Sequence, residues 1–149
     1  MATVVRYEHG MLFCSDLESG RVTCDAFSEK GKEYPSAPEL LMVSLGSCIG
    51  AVIVTYSDRH GINYEGMEIS LDWQLAHHPY RIGRIDVTVQ MPGPLTPEQI
   101  EILKRVADQC LIHATLLNPP EINLDLHVAE PAPAEGAPGT STAKEPKSP

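Results

Sequence analysis

Residues 36–60, SAPELLMVSLGSCIGAVIVTYSDRH, constrain the fold more than any other stretch of the chain. No charged residue occurs from position 40 to 57, and Cys48 stands in the middle. The ends carry helix chemistry. Ser36 can cap, Pro38 lies in the first turn where its missing N–H costs little, and Glu39, three residues after the serine, completes a capping box. Asp58, Arg59 and His60 followed by Gly61 give a basic last turn and a C′ glycine. Between them Leu40, Leu41, Val43, Leu45, Ile49, Val52 and Ile53 point almost all round. A helix apolar on every side is either buried or in a membrane. A spanning helix needs about 20 apolar residues, and this run is diluted by Ser44, Gly46, Ser47, Gly50, Thr55 and Ser57. Gly46 and Gly50 form a small-xxx-small face, which lets helices pack closely in soluble domains too. The segment is read as a central, fully buried helix. Cys48 on it is a small core residue or a protected reactive thiol.

The 149 residues suffice for one domain with a real core. A net charge of −9 and a pI near 5 argue against nucleic acid and against an anionic membrane surface. The opening MATVVRYEHG has no basic region followed by an apolar run, so no signal peptide is expected. Cys14, Cys24, Cys48 and Cys110 lie far apart without a C-x-x-C pair, which fits neither a zinc ribbon nor a secreted disulfide framework. The expectation is a cytoplasmic protein with reduced thiols.

Residues 2–7 and 11–16 read as strands joined at His9-Gly10, and residues 21–27, after the turn Glu18-Ser19-Gly20, as a third. Cys14 and Cys24 fall inside them as small half-buried residues, with a cross-strand disulfide as the alternative. After the helix, Met67, Ile69, Leu71, Trp73 and Leu75 alternate with polar residues, as do Ile85, Val87, Val89 and Met91, which predicts two strands each with one face buried. His77 and His78 fall at an exposed hairpin tip, where adjacent extended residues point to opposite sides and chelate poorly. Thr96-Pro97-Glu98-Gln99 is a second capping box. Ile100, Leu103, Ala107 and Cys110 follow at helical spacing, so Cys110 is expected to close that helix's apolar stripe. Ile122, Leu124, Leu126 and Val128 alternate as a last strand. Residues 129–149, rich in Pro, Ala, Gly, Ser and Thr, cannot bury enough surface to offset ordering entropy and are expected to be a disordered tail. The fold class is α+β over residues 1–128: antiparallel sheets packed on a long central helix. One chain of this size cannot cover a helix that is apolar all round, which predicts a homodimer.

The run Pro38-Glu39-Leu40-Leu41 to Leu45-Gly46-Ser47-Cys48 resembles the P-x-E-L-L-x-x-x-L-G-x-C helix of the OsmC/Ohr family of osmotically inducible and organic hydroperoxide resistance proteins. Cys110-Leu111-Ile112-His113-Ala114-Thr115-Leu116 is similar to the family's second cysteine segment, and the element order matches from residue 2 to 128. The resemblance looks closest to the OsmC-like branch. It implies an intertwined homodimer with active sites at the interface and thiol-dependent reduction of hydroperoxides, organic ones preferred. Cys48 would attack the O–O bond and become a sulfenic acid. Cys110 would resolve it to a disulfide, and a lipoyl or thioredoxin-like dithiol would restore both thiols. No cofactor and no resident metal are implied.

Such proteins stabilise the thiolate with an arginine held by a glutamate ten residues before the cysteine. Here that position is Pro38. Glu39 is nine before, on the opposite helix face at about 100° per residue. Glu39 is therefore either a member of that pair or a helix cap. Arg6, Arg21, Lys30 and Lys32 are the candidate cations. Two functions follow: a two-cysteine hydroperoxide reductase, or a non-enzymatic redox-responsive or apolar-ligand-binding dimer that lacks the activating pair. A third reading has Cys48, Cys110 and His113 hold zinc with an open position.

Overall fold

The computed structural model describes residues 2–26 and 33–128. The element order is β1 (Arg6–His9), β2 (Leu12–Leu17), β3 (Gly20–Asp25), α1 (Ala37–His60), β4 (Glu68–His77), β5 (Tyr80–Gln90), α2 (Pro97–Ala107) and α3 (Leu111–Leu117). The class is α+β, with two antiparallel sheets, β1-β2-β3 and β4-β5, and one long helix. The expected tail at 129–149 and the loop lysines Lys30 and Lys32 lie outside the described residues.

α1 starts and stops where its end chemistry places it. Ser36 N-caps it with both halves of the capping box formed, and Gly61 ends it at φ 65°. One face of α1 packs on β4, α2 and α3. Leu45, Ile49 and Ile53 on that face join Leu103 of α2 and Cys110 in the buried core. Gly46 and Gly50 allow the close approach to β4: a Cβ on Gly46 would lie 2.9 Å from Leu71 Cδ1, and one on Gly50 3.2 Å from Ile69 Cδ1. The expectation of a fully buried helix does not hold for one chain. Val43, Ser44, Ser47, Ala51 and Thr55 form an exposed stripe, because nothing among the described residues reaches that side.

β4 and β5 pair in continuous register from Glu68↔Gln90 to Gln74↔Arg84, then slip by one residue. Gly83 is the extra residue of that bulge, and a Cβ there would meet Ala76 Cβ at 2.8 Å. The inward alternation ends at Trp73, and Leu75, past the slip, is exposed. The hairpin closes at His78-Pro79 with both histidines at the exposed tip.

The first three strands form, with the turns at Gly10 and Gly20. Residues 2–5, expected in the first strand, stay outside it, with Val4 and Val5 exposed and no apolar surface over them among the described residues. Phe13 pairs with Cys24 and Cys14 with Thr23. Directly paired residues share a face, so the two cysteines lie on opposite faces and cannot form the alternative disulfide. Both are free. The expected strand at 122–128 is not formed. Ile122, Leu124, Leu126 and Val128 are all more than 80 % exposed, because a strand needs an edge to pair with and among the described residues none lies beside them.

Candidate functional site

Cys110 is not on α2, whose last residue is Ala107. The chain turns at Asp108 and Gln109, and Cys110 becomes the N-cap of α3, its Sγ accepting the His113 N–H at 3.4 Å. The first intrahelical bond runs from Ala114 N–H to Cys110 O at 2.9 Å. The preceding N–H groups of α3 have no carbonyl partner within the helix. Sulfur takes that role here. The Ile112 and Leu111 N–H groups favour the Cys48 thiolate, and the His113 and Ile112 N–H groups act on Cys110 in the same sense.

Cys48 comes to this point from α1, half-buried beside the core cluster, while Cys110 is fully buried. The Cys110 S–H donates to Cys48, and this bond is the main reason the Cys48 pKa falls below its ordinary value. The Ile112 and Leu111 N–H groups add to it against the opposing cost of burial. Burial, first, and the bond to Cys48 push the Cys110 pKa up. The pair is thereby ordered: Cys48 ionises first, and Cys110 keeps its proton.

These shifts have a testable sign. A lowered pKa means that the fold favours the Cys48 thiolate, which forms as pH rises through a value below the ordinary 9.0. The rate of Cys48 alkylation should therefore reach half its maximum below pH 9.0 in the native chain. Cys110→Ala removes the main donor, so the midpoint should move up. An unmoved midpoint would show that the S–H bond does not hold the thiolate. Stability is a poorer readout, since the Cys110 shift acts in the opposite sense over the same pH range.

The other candidates are placed elsewhere. Glu39 Oε2 accepts from Ser36 N–H at 2.7 Å and from Ser36 Oγ at 2.6 Å, and these bonds lower its pKa. It caps α1 about 13 Å along the axis from Cys48. Arg21 bonds Glu8 and donates to Cys14 Sγ at 3.1 Å, and Arg6 bonds Asp16 at 3.3 Å. Among the described residues no cation pairs with Cys48, and hydrogen bonds take that role. The same residues offer no group of three His, Cys, Asp or Glu side chains fit to hold a metal, so the zinc reading of Cys48, Cys110 and His113 has no site there.

The backbone N–H groups of Leu111 and Ile112 were missed in the sequence because a main-chain contribution has no residue-type signature. The only available signal was a cysteine directly after the helix-ending Asp108-Gln109. Against the buried core, α1, α2 and β5 enclose an open, largely apolar cavity of about 770 Å³ that neither Cys48 nor Cys110 lines. Leu45, Ile49 and Leu103 form part of its wall, and Lys104, Asp108 and His113 bring polar groups to it.

The structure is similar to that of an OsmC-like protein from Mycoplasma pneumoniae, at 15 % identity and a TM-score of 0.71 over 79 % of this chain and 87 % of that one. A Psychrobacter arcticus protein described by osmotic stress induction and detoxification response superposes at a TM-score of 0.69 with 20 % identity, covering 77 % of this chain and 87 % of the other. An OsmC-like hydroperoxide resistance protein from Jannaschia gives a TM-score of 0.52 at 18 % identity, over 85 % and 91 % of the two chains. At these identities the likeness shows the fold. No curated protein matches the sequence. The sequence itself, over residues 29–125, matches the family of OsmC-like proteins. With that match spanning most of the folded body, the chain belongs to the OsmC-like protein family.

Proposed function

We propose that the protein is a thiol-dependent hydroperoxide reductase, with organic hydroperoxides as its preferred substrates. One observation carries the reading: two cysteines distant in sequence meet at the start of α3, where Cys110 caps the helix and Cys48 packs beside it, and hydrogen bonding from Cys110 and Ile112 favours the Cys48 thiolate. Cys48 thiolate attacks the terminal oxygen of the hydroperoxide, the O–O bond breaks, and the sulfenic acid formed condenses with the Cys110 thiol, releasing water. A lipoyl or thioredoxin-like dithiol then reduces the disulfide. The apolar cavity, whose wall shares Leu45, Ile49 and Leu103 with the core cluster of Cys110, suits the body of an organic hydroperoxide better than hydrogen peroxide. Free thiols suit a reducing, cytoplasmic setting.

The working unit in this reading is a homodimer. The exposed α1 stripe and the unpaired apolar residues at 122–128 are surfaces that a second copy covers. Titrating the reduced protein with cumene hydroperoxide should remove both thiols and two hydrogen atoms, read by thiol count and intact mass. The same sample should sediment at twice the chain mass. If Cys48 reacts no faster than free cysteine, the reductase reading fails. The non-enzymatic ligand-binding reading, favoured by the lack of a cation at Cys48 among the described residues, would then stand.

A further inference from the structure

The two sulfurs of the thiol pair differ in access. Cys110 is 0 % exposed and sits in the buried cluster with Leu45, Ile49, Ile53 and Leu103. Cys48 keeps part of its surface open. On α1 it stands between that core face and the exposed stripe, with exposed Ser44 and Ala51 one turn before and after it. The large cavity gives no second route to Cys110, since neither sulfur lines it. A second copy laid over the stripe can only bury more surface, so Cys110 stays closed in the dimer. Cys48 has to stay reachable there, because a hydroperoxide must meet it. Thiol–disulfide exchange is an in-line displacement, in which the incoming thiolate approaches one sulfur from the side opposite the sulfur that leaves. To attack Cys110 it would have to stand inside the core cluster. To attack Cys48 it approaches from outside, with the core behind the leaving sulfur.

We propose that the reductant bonds Cys48, and not Cys110, when it opens the disulfide, so that one sulfur receives first the peroxide and then the electron donor. This rests on the hydroperoxide-reductase reading. A thiolate of the dithiol donor attacks Cys48 Sγ, a mixed disulfide forms, and the Cys48–Cys110 bond breaks. Cys110 leaves as thiolate with the electron pair and takes up the proton that the donor's second thiol gives up. That second thiolate attacks the donor sulfur of the mixed disulfide, the donor's own disulfide closes, and Cys48 leaves as thiolate. Two electrons have then passed from the donor to the pair. The His113 N–H, 3.4 Å from Cys110 Sγ, is in place to hold the first leaving thiolate. Leaving-group pKa alone would favour the opposite choice, because Cys48 is the lower of the two. Access overrides it, since a sulfur that no donor reaches does not exchange at any pKa.

The test uses the full chain, oxidised with diamide so that the bond closes without a peroxide. A brief pulse of cysteamine, an acid quench and alkylation with N-ethylmaleimide in denaturant fix the mixed disulfide, and peptide mass mapping places it. Cysteamine should lie on Cys48 and the alkyl group on Cys110, in at least about tenfold excess over the reverse. Pulsed in denaturant, where burial is gone, the same chain should show a preference within about twofold. An adduct chiefly on Cys110, equal adducts on both, or a preference that survives denaturation would overturn the proposal. If cumene hydroperoxide closes the bond as well, that result leaves the reductase reading intact. A chain that closes the bond with diamide but not with hydroperoxide, and takes cysteamine on Cys48, supports the choice of sulfur while the reductase reading fails. A chain that neither reagent cross-links overturns both.

Discussion

Cys48→Ser is expected to stop hydroperoxide reduction, lowering the rate by roughly 10³-fold or more. A serine hydroxyl stays protonated at neutral pH, so neither the Cys110 S–H nor the Ile112 and Leu111 N–H groups have an anion to stabilise. Cys110→Ser should behave differently. It keeps the nucleophile and completes one turnover, then stops at a sulfenic acid that a dimedone probe captures. Peroxide consumption by the two variants, with the trapped adduct read by mass, separates attack from resolution. Consumption at the native rate in Cys48→Ser would move the chemistry to another cysteine.

The second large effect is on stability. Ile53 is 2 % exposed and packs in the cluster that carries Cys110 and Leu103. Ile53→Ala removes three carbon atoms from that cluster and leaves a void, at a cost of about 2–5 kcal/mol. For a chain of this length a loss of 3 kcal/mol lowers Tm by about 10 °C. Thermal unfolding followed by circular dichroism checks it. A change under about 1 kcal/mol would mean that neighbouring side chains collapse into the space. The same void adjoins the thiol pair, so the alkylation profile of Cys48 should shift in this variant as well.

These two residues also show what the sequence makes legible. α1 is readable because its ends are marked by side chains: Ser36 and Glu39 close the capping box, and Gly61 takes the left-handed turn. Cys48 and Cys110 stand out as candidates through their residue type and surroundings. The placement of Cys110 is not, because helical spacing continues through Ala107 while the chain leaves the helix at Asp108. A cysteine rarely caps, so its position at the head of α3 has no composition signal. The strand expected at 122–128 shows the converse. Alternation records which residues want a covered face, but pairing depends on an edge that the described residues of one chain do not supply. The stripe of α1 left bare by its own chain belongs to the same class.

The distance in sequence between the two sulfurs has a consequence beyond chemistry. All of β4, β5 and α2 lies between Cys48 and Cys110, whereas β1, β2 and β3 lie outside. A bond between those sulfurs closes a loop of about 60 residues, and removing that freedom from the unfolded chain is worth about 4 kcal/mol in the loop-entropy account. In the proposed cycle the oxidised form of the protein is therefore the tougher one. Heat or protease acting on a mixed population would then remove reduced chains before those in which the two sulfurs are bonded.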